Sequence, residues 1–401
     1  MDGWRLSIDF GTSFTTAAME VAGTISTLEI GNSRYLPSLV ALGTSGELVT
    51  GGEAAHLAAL MPDRVERLPK RALVRSDHVL LGGATVATVD LVAAVLARVY
   101  GEALPFHRGR TPEEVVLTHP AKWGREDLGK LGQAAEVAGL RGVRFMPEPV
   151  AAVLHHAAGC PVPQCATGGA GRDIPVGGCV AVYDLGGGTF DTAVLRRTER
   201  GFETVGKVGG DPFLGGEDFN ERLRDLLGAS ARVVDPGPWD DLWESEDRAS
   251  VSGRAQVIRD VVTAKEALSS LPEIAMDVPG YDVRFLIRRR QFEEAVSEDL
   301  ERSVKQLLDT IGSAGLAPAD LDGLVLAGGA SRMPRVSDLL AERLGLLPHV
   351  TPDPKSVVAH GALLALADPP SPPPSPDPSP EPPTWHSGGP PPQHPNLPPW
   401  D

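Results

Sequence analysis

Cysteine is scarce: residues 160, 165 and 179 are the only three in a chain of 401. That is too few for a disulfide framework, although Cys160 and Cys165 could pair in an oxidising compartment; free thiols in a cytoplasmic protein are the expectation. Positive charge is also short, with 37 lysines and arginines against 53 acidic residues and a formal net charge of -16. This balance opposes non-specific attraction to nucleic acid or an anionic membrane surface, so neither is expected as a partner. A polyanionic ligand would need a local site. Long apolar runs are missing too: the stretch from Val89 to Val99 is interrupted by Asp90 and Arg98 and is too short to span a bilayer. Met1 to Phe10 carries Asp2 and Asp9 and lacks the basic and then apolar order of a signal peptide. A soluble, cytoplasmic monomer is expected.

The length allows two compact units or one large bilobal unit. Residues 369–401 stand apart, holding 16 of the 37 prolines. Proline fixes φ and removes the backbone donor, so this tail favours extended polyproline segments, either as a solvated spacer or as a ligand for a protein partner. Before it, short β-branched runs alternate with helical patterns, the mark of an α/β fold. Strands are predicted at 6–8, 115–117, 179–183 and 324–326. Helices are predicted at 89–100, 125–138, 149–158, 219–227, 255–269, 289–313 and 335–344.

One pattern occurs twice. Ile8-Asp9-Phe10-Gly11-Thr12 returns as Tyr183-Asp184-Leu185-Gly186-Gly187-Gly188-Thr189: strand, acid, glycine turn, hydroxyl. A duplicated turn implies two similar lobes facing one ligand in the cleft between them. Glycines at 11 and 186–188 let backbone N–H groups approach phosphate oxygens, an anion nest that needs no positive net charge. Thr12, Ser13 and Thr189 add hydroxyl donors. Asp9, Asp184 and Asp191 beside phosphate would be repulsive without a cation, and magnesium, held by carboxylates and the nucleotide's own phosphates, is the natural one. Asp184 could instead cap its turn.

Six elements in order make the chain resemble the ATPase domain of the seventy-kilodalton heat-shock (DnaK-type) chaperones over residues 4–366. They are Ile8 to Ser13, Leu68-Pro69-Lys70-Arg71, Met146 to Ala152, Asp184 to Asp191, Gly215-Gly216-Glu217-Asp218-Phe219, and Leu326 to Pro334. The resemblance implies an actin-like, ribonuclease H-like two-lobed α/β fold. Lobe I would span 1–178 and lobe II 179–368, with the last helix, near Ser356 to Ala362, returning to lobe I. It also implies ATP or ADP with Mg2+ as ligands. Lys70 would meet the developing γ-phosphate charge, Glu148 would orient or deprotonate water, and Thr12 and Thr189 would bind the γ-phosphate. Asp9 and Asp191 would order the magnesium hydration shell. Lys265 would reach ribose and Ser269 the base; Gly328 and Gly329 would let the backbone approach adenosine, and Arg332 would lie on the adenine face. Gly216 and Glu217 complete the expected nucleotide contacts. On bland readings, Lys70 is a solvated lysine, Glu148 the acidic first turn of a helix, and Arg332 a helix-surface charge.

The chain departs from the pattern in places. Val262 stands where the family usually has an acid, and Glu266 where an arginine stacks on adenine; losing that cation should weaken binding by roughly 1 kcal/mol. Leu128 replaces a lobe-coupling arginine, and Lys355 an acid. No peptide-binding domain or lid follows residue 368 in this sequence. The leading expectation is a slow Mg-ATPase switching a protein partner. A nucleotide-sensing module without turnover and an actin-like filament former are the alternatives; no acidic substrate motif favours a sugar or acetate kinase.

Overall fold

A computed structural model describes residues 3–158, 174–349, 351 and 353–366, all within the unit Met1–Asp368. Cys160, Cys165 and the proline-rich tail lie outside the described residues.

Two sheets carry the fold. In the first, Val143–Pro147, Glu114–His119, Trp4–Phe10, Phe14–Val21 and Thr24–Thr27 lie side by side. Trp4–Phe10 pairs in parallel with Glu114–His119 and antiparallel with Phe14–Val21. In the second, the order is Gly201–Asp211, Phe190–Thr198, Cys179–Leu185 and Gly323–Ala327. Here Cys179–Leu185 pairs antiparallel with Phe190–Thr198 and in parallel with Gly323–Ala327. Each sheet is thus built on a hairpin whose glycine turn is one copy of the sequence repeat, flanked by one parallel strand. The registers also correspond: Asp9 opposes Thr16 and Asp184 opposes Asp191. Central strands buried on both faces need apolar, β-branched residues throughout, and Cys179–Leu185 is buried at all seven positions. This is the two-lobed, actin-like α/β architecture.

Among the described residues, three cores hold it. One packs the outer face of the first sheet under helices Thr88–Ala103 and Arg125–Val137. A second packs the other sheet under Gly216–Val234, Arg248–Leu268 and Ser297–Ser313. The third lies between the sheets, where Glu148–Ala157 and Val357–Leu364 cross. Val357–Leu364 packs on Trp4–Phe10, and the Ser7 hydroxyl donates to the Ala359 carbonyl at 2.6 Å. Gly361 permits the crossing: a Cβ there would sit 1.8 Å from the Ala151 carbonyl oxygen.

Local chemistry explains where the elements differ from the sequence pattern. The helix predicted over 289–313 is two, Arg289–Ala295 and Ser297–Ser313. At Val296 the backbone leaves helical geometry, and the Ser297 hydroxyl bonds the Glu294 carbonyl, a local alternative to the helical ladder. The helix predicted at 219–227 runs from Gly216 to Val234. Gly228 does not end it; its missing Cβ makes room for the Trp239 ring. Pro236–Glu244, not predicted, has a legible start: Asp235 accepts from the Gly237 N–H and Pro236 occupies the first turn.

Candidate functional site

The two glycine turns face each other across a cavity. Gly11, Thr12 and Ser13 line one side; Gly186, Gly187 and Thr189 line the other. The turns interlock closely. A Cβ at Gly187 would lie 2.1 Å from Ser13 Oγ, and one at Gly188 would lie 2.4 Å from Thr12 Cγ2. The Gly186 N–H donates to the Thr189 carbonyl at 2.9 Å, closing the second turn. Thr12 is buried and its hydroxyl oxygen has no hydrogen-bond partner. A hydroxyl so placed is free to donate to a bound group, and an unmet buried polar group costs about 1–3 kcal/mol.

The Gly215–Phe219 signature braces the second turn. The N–H groups of Gly216 and Glu217 donate to the carbonyls of Gly186 and Gly187 at 3.0 and 2.6 Å. Glu217 accepts from Ser13 Oγ at 2.9 Å, so a carboxylate of one lobe holds the glycine turn of the other. Lys265 Nζ donates to the Gly216 carbonyl at 2.7 Å, and burial holds its pKa below the ordinary lysine value.

Lys70 is not a solvated lysine. Pro69 starts the helix Pro69–Arg75, and the next residue turns its side chain into the cleft, where Lys70 is 4% exposed. Its Nζ lies 2.7 Å from Glu148 Oε1 at the first residue of Glu148–Ala157, also buried. Burial works against the ammonium, yet the carboxylates of Glu148 and Asp9 outweigh it and raise the Lys70 pKa. Trp123 covers the ammonium at 5.7 Å.

Asp9 and Asp191 are both pushed up to about 7, first by burial and then by the Glu148 carboxylate, despite Lys70. Thr118 donates to Asp9 Oδ1 at 2.7 Å. Asp184 is raised well above the usual range for the same reasons, with Asp191 and Asp9 adding to the repulsion. Such carboxylates favour a cation among them. Among the described residues no three His, Cys, Asp or Glu side chains are arranged to hold a metal directly. That donor set suits a cation retaining its waters.

Asp9, Asp184, Lys70, Glu148 and the Gly216–Glu217 pair line the cavity, together with Lys265, Ser269, Gly328 and Gly329. Three predicted site residues stand back from it. Asp191 is buried behind Thr189, which bonds its carboxylate, and Gly188 lies beneath Thr12. Arg332, expected over the base, is exposed and outside the lining. It ends the short helix Gly329–Arg332, whose buried hydroxyl, Ser331, turns inward to the Gly328 carbonyl.

Sequence reasoning treated Glu266 and Lys355 as separate departures. The structure joins them: both line the cavity, with Lys355 Nζ 3.2 Å from Glu266 Oε1. The same ammonium lies 4.5 and 5.0 Å from the Phe14 and Tyr35 rings. A cation therefore remains beside Glu266, supplied from another element. Two replacements of opposite sign were the available signal.

The profile of the Hsp70 protein family matches residues 61–367. The chain belongs to the Hsp70 family. Among curated relatives, this Hsp70-family chain is 32% identical over 381 residues to the chaperone protein HscA homolog of Bordetella petrii, covering 90% of this chain and 57% of that protein. It is 32% identical to the HscA homolog of Burkholderia cenocepacia, covering 82% and 52%. It is 30% identical to the chaperone protein HscA of Salmonella newport, covering 89% and 57%. The chain thus spans little more than half the length of the curated relatives it matches.

Proposed function

We propose that this Hsp70-family chain binds ATP in the interlobe cleft, hydrolyses it slowly to ADP and phosphate with magnesium, and uses the change to switch a protein partner in chaperone work. The observation carrying this reading is the buried Lys70–Glu148 pair set between two glycine turns, beside an unpartnered Thr12 hydroxyl.

The phosphates would rest on the backbone N–H groups of the two turns, with Thr12 donating from one lobe and Thr189, on turning its hydroxyl from Asp191, from the other. Lys70, already desolvated and held by Glu148, would face the charge that develops on the γ-phosphate; a fixed cation in a dry site needs no reorganisation as that charge grows. Glu148 would orient the attacking water and accept its proton at a carboxylate oxygen. Asp9, Asp184 and Asp191 would hold magnesium, mainly through water, and the bound ion would neutralise phosphate charge. The base would lie toward Lys265, Ser269, Gly328 and Gly329, beneath Lys355 and Glu266. Ser13–Glu217 would tie the lobes while nucleotide is bound, so that nucleotide state sets the lobe angle read by the partner.

The test is phosphate release from the purified chain mixed with ATP. Release that stops when magnesium is chelated supports the reading; ATP that stays intact with magnesium present contradicts it.

A further inference from the structure

Arg71 follows Lys70 on the same helix but does not line the cavity. It crosses to the other lobe. Its Nε donates to the Gly188 carbonyl at 2.8 Å and its Nη2 to the same oxygen, while Nη2 pairs with Asp218 Oδ2 at 3.1 Å. Phe213 lies against the guanidinium at 5.8 Å and against that of Arg75 at 4.8 Å. The Arg71 side chain is 12% exposed.

A peptide unit is planar and trans, so its carbonyl and the next N–H point in opposite directions. Fixing the Gly188 carbonyl therefore fixes the Thr189 N–H, turned away from Arg71. Gly188 has no side chain to hold this peptide, and a glycine-rich turn loses much conformational freedom when ordered. A guanidinium with two donors on one oxygen, seated on a ring and a carboxylate, restrains it in a way a single ammonium cannot.

We propose that Arg71 is a positioning residue for the second phosphate turn, aiming the Thr189 N–H at the nucleotide phosphates and placing that turn in register with Lys70, one residue away on the same helix. This rests on the proposed ATPase reading for its rate effect, but not for its effect on the turn. Asp218 and Phe213 act by seating the guanidinium.

The full chain is compared with Arg71→Ala, Arg71→Lys and Asp218→Asn, with Mg-ADP bound for hydrogen exchange and Mg-ATP for single-turnover hydrolysis. For Arg71→Ala, the expected results are faster amide exchange in the peptide covering residues 186–190, a roughly ten- to hundredfold slower hydrolysis, and partial rescue of both by low-millimolar guanidinium. Arg71→Lys and Asp218→Asn should show smaller changes of the same sign, and keep the test open if the alanine variant does not fold. Unchanged exchange at 186–190 in the folded variants would overturn the proposal, as would a loss of rate indifferent to guanidinium. A wild-type chain that leaves ATP intact would defeat the hydrolysis reading, while the exchange result would still decide the role of Arg71.

Discussion

At the scale of single residues, the site joins buried charges to backbone left bare by glycine. A Cβ at residue 188 would meet Thr12 at 2.4 Å, so Gly188→Ala must push the two glycine turns apart. Its expected effect is at least a tenfold loss of Mg-ADP affinity by calorimetry, with far-ultraviolet circular dichroism unchanged. The Glu266–Lys355 pair gives a second expectation. Glu266 is more than half exposed, so the pair contributes modestly, about 0.2–1 kcal/mol. Either alanine variant should release a fluorescent ADP analogue about two- to fivefold faster, and the double variant no faster than the singles; additive effects would mean the two charges act separately. The acids, glycines and hydroxyls of the two turns were legible in the sequence because their chemistry lies within a few residues. Arg71 and Phe213 were not: their value comes from contacts with Gly188 and Asp218 across a cleft, and nothing local marks an arginine that binds a carbonyl 117 residues away.

Among the elements, the crossing of Glu148–Ala157 and Val357–Leu364 is the most sensitive. Gly361→Ala would place a methyl on the Ala151 backbone, and overpacking of this kind costs about 1–3 kcal/mol, measurable by urea unfolding. Histidines also meet here: His155 faces His360 at 6.0 Å and His156 faces His349 at 4.4 Å, with Asp353 and Arg34 acting on the group from nearby. Burial first, and then the neighbouring histidines, bring His155 and His156 down to about 4. A histidine depressed on folding stabilises the protein fully above its unfolded pKa near 6.5 and loses that contribution as pH falls through the folded value. The histidine contribution should therefore decline between pH 6.5 and 4, against the opposite slope of the buried Asp9, Asp184 and Asp191, whose pKa values folding raises. Relative to the wild type, His155→Asn should lose less stability over that window in thermal melts, and parallel profiles would remove these groups from the account. The apolar spacing of this crossing could be read in the sequence, since helix 149–158 was predicted nearly to its limits. Its partner was legible only by resemblance, because Val357–Leu364 is buried along nearly all of its length and shows no one-sided periodicity.

For the whole molecule, the two lobes repeat one hairpin-based sheet and meet through polar ties: Ser13 to Glu217, Arg71 to Gly188, and Lys122 Nζ to the Gly210 carbonyl at 2.6 Å. A ligand gripped by both lobes adds its binding energy to this junction, so Mg-ADP at about a hundred times its Kd should stabilise the chain by about 2.7 kcal/mol. The repeat Asp-x-Gly-Thr made the duplication readable, whereas the break at Val296 and the extension of Gly216–Val234 depend on a serine back-bond and on a tryptophan filling the space beside a glycine. The central claim is that the buried Lys70–Glu148 pair makes this cleft an ATPase. Single-turnover hydrolysis of Mg-ATP by the full chain and by Lys70→Ala tests it most directly. The account predicts phosphate release by the wild type and a loss of at least a hundredfold in the variant, with nucleotide still bound; equal rates in the two proteins, or bound ATP left intact by the wild type, would contradict it.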